Sequence, residues 1–94
     1  MATLDEVKTA LRISASTVDF DTEIQGLIDA AKADLTLAGV DRIDETDPLI
    51  KRAIIVYAKA HFGYDNPDAD RLAASYEALK AHLSMADDYR EEEI

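Results

Sequence analysis

Between Leu49 and Phe62 the chain is apolar almost throughout. Leu49, Ile50, Ala53, Ile54, Ile55, Val56, Tyr57, Ala58, Ala60 and Phe62 are interrupted only by Lys51, Arg52, Lys59 and His61. At helical spacing these apolar residues fall on nearly every side, so the segment reads as a helix with neighbours all around it. Asp47-Pro48 opens it, with Asp as N-cap and Pro at the first helical position, where a missing N–H costs nothing. A chain of 94 residues has room for one domain. This helix is therefore either the centre of that domain or half covered by a neighbouring subunit. A core of this size holds a fold together by about 5–10 kcal/mol, and association with other subunits adds to that.

Three more helical segments surround it. Thr3-Leu4-Asp5-Glu6 has the form of a capping box, followed by Leu4, Val7, Ala10 and Leu11 on one face and Arg12 near the C-terminal end. After Ser14-Ala15-Ser16-Thr17, Asp19 or Asp21 is expected to cap a second helix, and the spacing leaves the choice open. Its stripe is Ile24, Leu27, Ile28, Ala31, Leu35 and Ala38, and Gly39 is expected to end it. Gly63 is the expected stop of the third helix. Asn66-Pro67 restarts a fourth, striped by Leu72, Tyr76, Leu79 and Leu83. No stretch alternates with period two over strand length. The expectation is an all-α fold: a four-helix bundle over residues 1–86 with a central apolar third helix, then a mobile acidic tail at 87–94.

Chemistry is hard to place on this chain. With no Cys there is no disulfide framework and no thiolate metal site, which fits folding in a reducing cytoplasm. Asp41, Asp44, Glu45 and Asp47 crowd one connection without the alternate spacing, central Gly and terminal Glu of a calcium loop. They read as a solvated capping loop, as do Asp65, Asp68 and Asp70. His61 and His82 lie in no metal-binding or catalytic pattern. The serines lack a nucleophile elbow, and three glycines cannot build a phosphate loop. No enzyme activity, cofactor or metal is expected.

Charge narrows the partners. At −10 the chain is a poor match for phosphate backbones and anionic lipid. An acidic wall beside a DNA path would instead repel the duplex and let it slide. No apolar run reaches transmembrane length, and the first residues lack the basic-then-apolar order of a secretion signal.

Four stretches carry a resemblance over nearly the whole chain. They are Leu4-Asp5-Glu6-Val7-Lys8 to Leu11-Arg12-Ile13; Asp21 through Ile24, Leu27-Ile28 and Ala30-Ala31-Lys32; Ile50-Lys51-Arg52-Ala53-Ile54 through Tyr57, Ala58 and His61-Phe62; and Ser75-Tyr76-Glu77-Ala78-Leu79 to Leu83. In order and spacing they resemble the small phage head–tail connector proteins, also called head-completion, adaptor or DNA-packaging proteins. The resemblance implies a helical homo-oligomer forming a ring beneath the portal protein at the head–tail junction of the virion. DNA passes through such a ring without specific binding, and neck or tail completion proteins dock on it. Many members carry a basic residue after the third-helix aromatic. Gly63-Tyr64-Asp65-Asn66-Pro67-Asp68 stands there instead.

A ring needs two different faces on each subunit. The third helix, with more apolar surface than a compact monomer readily hides, is expected to supply one. Ile13, Val18, Val40 and Ile43 in the connections are expected to supply the other. Tyr57 and Tyr64 are candidates at the end of the third helix, and Tyr89 and Ile94 are the apolar anchors of the tail. The alternative reading is a helical adaptor or regulatory protein that binds a partner's helix in a groove.

Overall fold

The computed structural model describes residues 3–14, 16–40, 43–62 and 67–85. Among the described residues four helices follow one another: α1 (Thr3–Ala10), α2 (Asp21–Leu37), α3 (Pro48–His61) and α4 (Ala69–Met85). Among the described residues there is no strand, and no helix is long and apolar enough to cross a membrane. α3 touches each of the other three helices, while α2 also packs on α1. The core is one cluster, with Ile24, Ile28, Ala31 and Leu35 from α2, Ile50, Ala53, Ile54, Val56 and Ala58 from α3, Val7 from α1, and Tyr76 and Leu83 from α4. The tail at 87–94 and the Gly63 stop lie outside the described residues.

Local chemistry explains three helix ends. Asp47 caps α3: its carboxylate accepts from the backbone N–H of Leu49 at 2.8 Å and of Ile50 at 3.3 Å, with Pro48 at the first helical position. Gly39 ends α2 at φ 101°, its N–H donating to the carbonyl of Thr36 and that of Val40 to Leu35. These two crossed bonds form a Schellman motif, in which a left-handed residue lets the chain turn off a helix. α1 ends on the same motif. Arg12 N–H donates to Thr9 and Ile13 N–H to Lys8, with Arg12 at φ 64°.

Three helix starts depart from expectation. Thr3 lies inside the first turn of α1, where its hydroxyl donates to the Glu45 carboxylate, and Glu6 pairs with Lys51 at 2.9 Å. The side chains of the expected capping box thus serve tertiary contacts. α2 is preceded by Phe20, with no side-chain cap. Neither Asp19 nor Asp21 caps it, because the Asp21 carboxylate is drawn to Lys8 at 2.7 Å. α4 starts at Ala69, two residues beyond Pro67, and the Asp68 carbonyl accepts the Leu72 N–H at 2.8 Å.

The expected surplus of apolar surface on α3 is also corrected. Three packed neighbours enclose five of its residues completely or nearly so, and Ile55, Tyr57 and Phe62 lie partly buried against the core. The large apolar side chains left open lie mostly elsewhere: Leu37 at 87% exposure, Met85 at 75%, Val18 at 65%, and Phe20 and Leu49 at 42%.

Candidate functional site

The candidate contact residues separate once placed in three dimensions. Val40 is wholly enclosed, because the turn after Gly39 points it back into the core. It has no surface to offer a neighbour and is struck from the contact set. Ile13 and Ile43 are half-buried and pack on the core's edge. Val18 stands open. Tyr57 is half-buried, with its ring centroid 5.0 Å from that of Tyr76, edge to face, and 4.3 Å from that of His61. Tyr64, Tyr89 and Ile94 lie outside the described residues.

Two polar ties fix how the helices present their outer surfaces. At the first, Lys8 is 2% exposed, and its ammonium donates to the Thr17 carbonyl at 2.6 Å and to Asp21 at 2.7 Å. Lys8 lies between Leu4 and Leu11 on the apolar stripe of α1, so its stem is packed while its head reaches the α1–α2 connection. That position was the sequence signal for a buried lysine. At the second tie, Asp34 of α2 accepts from the Tyr76 hydroxyl at 2.8 Å and from Lys80 at 3.0 Å, both on α4, and Lys80 also reaches Glu77. The Lys80 hydrogen bond, aided by Tyr76, holds the Asp34 carboxyl below its usual range. Burial, then the neighbouring Asp34, pushes the Tyr76 phenol well up. Hydrogen bonding to Asp34 raises Lys80 in turn.

The loop between α2 and α3 is knitted in the same way. Glu45 accepts from Lys32 and Thr3, and those bonds, Lys32 foremost, lower its carboxyl. Asp44 accepts from the hydroxyl of Thr46 at 2.6 Å and from its N–H at 2.9 Å, which lowers it too. Each acid of this loop in the described residues is thus bonded to a donor, and among the described residues no three His, Asp or Glu side chains converge as metal ligands. Thr3, Leu4, Glu6, Gln25, Glu45, Thr46 and Lys51 line a shallow open groove over the loop. The lysine and carboxylate pair at its rim, Lys51 with Glu6, is already closed on itself.

Apolar surface concentrates at the helix ends. Phe20, just before α2, meets Phe62, just after α3, edge to face at 5.5 Å, and Val18 lies two residues before Phe20. Leu37 and Met85 stand at the C-terminal ends of α2 and α4. The contact set drawn from the sequence omitted Phe20, Leu37 and Met85. Leu37 carries a readable signal, because it lies off the Ile24–Leu35 stripe by helical spacing.

The described residues thus combine one enclosed and one half-open polar tie, acids bonded to donors, and open apolar side chains at helix ends. No curated protein and no solved structure matches the chain. The family model described as phage connector protein matches residues 3–90, and the chain belongs to the phage connector protein family.

Proposed function

We propose that this protein is a non-catalytic subunit of a ring at the head–tail junction of a phage virion, seated below the portal and giving neck or tail completion proteins a docking surface. The observation that carries this reading is the connector family match over residues 3–90. The physical features of the chain agree with it. Open apolar side chains such as Leu37 and Met85 suit contacts with other proteins. The net charge of −10 suits a channel through which DNA slides without sticking. The fixed polar ties suit a part that keeps its shape under load.

The test is mass by light scattering together with negative-stain imaging, for the protein alone and mixed with its portal. Closed rings, free or on the portal, are the expected result. A chain that stays monomeric at high concentration and also ignores the portal would overturn the reading.

A further inference from the structure

α2 has two unlike sides. Its inner side is the core stripe of Ile24, Ile28, Ala31 and Leu35. Its outer side carries Thr22, Gly26, Ala30, Ala33 and Leu37, spaced four, four, three and four apart, all exposed and none charged. Nearly a third of the whole chain is charged, so an uncharged solvent face over the whole helix is out of keeping with the rest. Glu23 and Asp29, both exposed, flank it. Gly26 adds an independent sign. Its backbone is helical, and a Cβ placed there would meet nothing within 4 Å. Nothing inside the molecule calls for glycine at this position, although glycine weakens a helix relative to alanine. Close approach of another backbone from outside does call for it.

α3 offers the complement. It is the one helix among the four without an acidic residue, in a chain where acids outnumber bases two to one. Its outward side runs Pro48, Arg52, Ile55, Lys59 at helical spacing, with Ile55 half-buried between the two cations. Arg52 is exposed and has no ion partner among the described residues.

We propose that the outer face of α2 in one copy receives the outer face of α3 in the next copy, with Arg52 and Lys59 set against Glu23 and Asp29. This deepens the ring reading and rests on it. Charge complementarity selects a second copy as the occupant. Each face is the side of its helix turned away from the shared core, so the two cannot meet within one molecule. Pairing two different faces is heterologous, and every copy then keeps one of each face for its neighbours, as ring closure requires. The small residues of α2 let the helices come close, and Leu37 covers apolar surface at the end of the contact.

Because the chain has no cysteine, single-cysteine variants report the contact cleanly. Ala33→Cys and Arg52→Cys proteins are mixed under mild oxidation, at a concentration or on a portal where the wild type assembles. The expected result is at least a tenfold excess of the unlike disulfide over either like pair. Gly26→Phe, which has open space in the monomer, is expected to keep the helical circular dichroism and lose assembly. Arg52→Glu is expected to lose assembly too, and addition of Asp29→Lys to restore it.

Rings that survive Gly26→Phe and Arg52→Glu, with no excess of the unlike disulfide, would overturn this contact and leave the ring reading standing. Dominant Ala33→Cys pairs would overturn it in favour of a symmetric contact. Loss of portal binding with self-assembly intact would assign the α2 face to the portal instead. A wild type that never assembles would overturn both readings.

Discussion

The two lysine–carboxylate ties use the same chemistry in different surroundings. Lys8 is enclosed at 2% exposure, while its partner Asp21 keeps 31%. Lys80 is 19% exposed and Asp34 36%, so the α2–α4 tie is half open. A half-open pair is screened by solvent and salt and contributes little beyond its hydrogen bonds. An enclosed lysine has already lost its hydration, so its partner matters far more than the net worth of the bond suggests. The first tie therefore decides whether α1 and its connection stay docked. The second adjusts how firmly α4 lies on α2.

The largest expected effect breaks the sealed tie from its open end. Asp21→Ala leaves the Lys8 ammonium enclosed without its carboxylate and should cost about 3–5 kcal/mol. That is a fall in Tm of at least about 12 °C for a domain of this size. Adding Lys8→Met removes the enclosed charge while keeping the packed stem, and should recover much of the loss. Thermal and urea melts of the single and double variants measure both. If Asp21→Ala cost no more than the matching change at Asp34, the contrast between the ties would collapse.

At the half-open tie, Asp34→Ala takes an acceptor from a buried phenol and from Lys80, and should cost about 2 kcal/mol. Raised salt should shrink the Lys80 share of that loss and leave the Tyr76 share. Loss of salt dependence in the Asp34→Ala melt, relative to wild type, is the readout.

The pH dependence reports on the half-open tie. The folded Asp34 carboxyl lies below its ordinary value of 3.8, as Glu45 lies below 4.5. Stability from these groups is full above those ordinary values and drains away as pH falls below them, because the unfolded chain takes up protons first. Tyr76 and Lys80 are shifted upward from 10.0 and 10.5. Their contribution is full below those values and is lost as pH rises past them. Asp34→Asn should therefore flatten both limbs of the stability profile, measured as urea midpoints across the pH range. An unchanged profile would mean that the tie is not formed in solution.

Legibility followed the reach of each interaction. The Asp47-Pro48 start of α3 and the Gly39 end of α2 were readable because cap and capped groups lie within five residues of each other. The all-helical fold was readable for the same reason, through the spacing of apolar residues along each helix. Thr3 and Glu6 made a plausible local cap, and long-range partners, Glu45 and Lys51, claimed their side chains. The Asp34–Tyr76 bond joins residues 42 apart, and no local rule announces it. Val40 looked like spare apolar surface in a connection. The Schellman turn before it sends the side chain inward, which depends on backbone dihedrals and not on residue type. Of the candidate contacts, Val18 was legible as open surface, whereas the outer face of α2 had to be seen against a placed core before its missing charges meant anything.

The smallest effects lie at the two Schellman turns, and they sharpen the comparison of the ties. Gly39→Ala puts a Cβ on a left-handed residue and should cost about 1 kcal/mol. Arg12 already bears that penalty at φ 64°. Arg12→Gly relieves it while making the unfolded chain more flexible, for a net gain of a few tenths of a kcal/mol, roughly 0.5. The Arg12 turn is coupled to the sealed tie, since Ile13 N–H bonds to the carbonyl of Lys8 at 2.8 Å. It shares no partner with Lys80. The gain from Arg12→Gly should therefore add in full to a Lys80→Met background and change in an Asp21→Ala background, where α1 is loosened. Equal gains in both would show that the end of α1 is held by its own turn, with Lys8 contributing little to it.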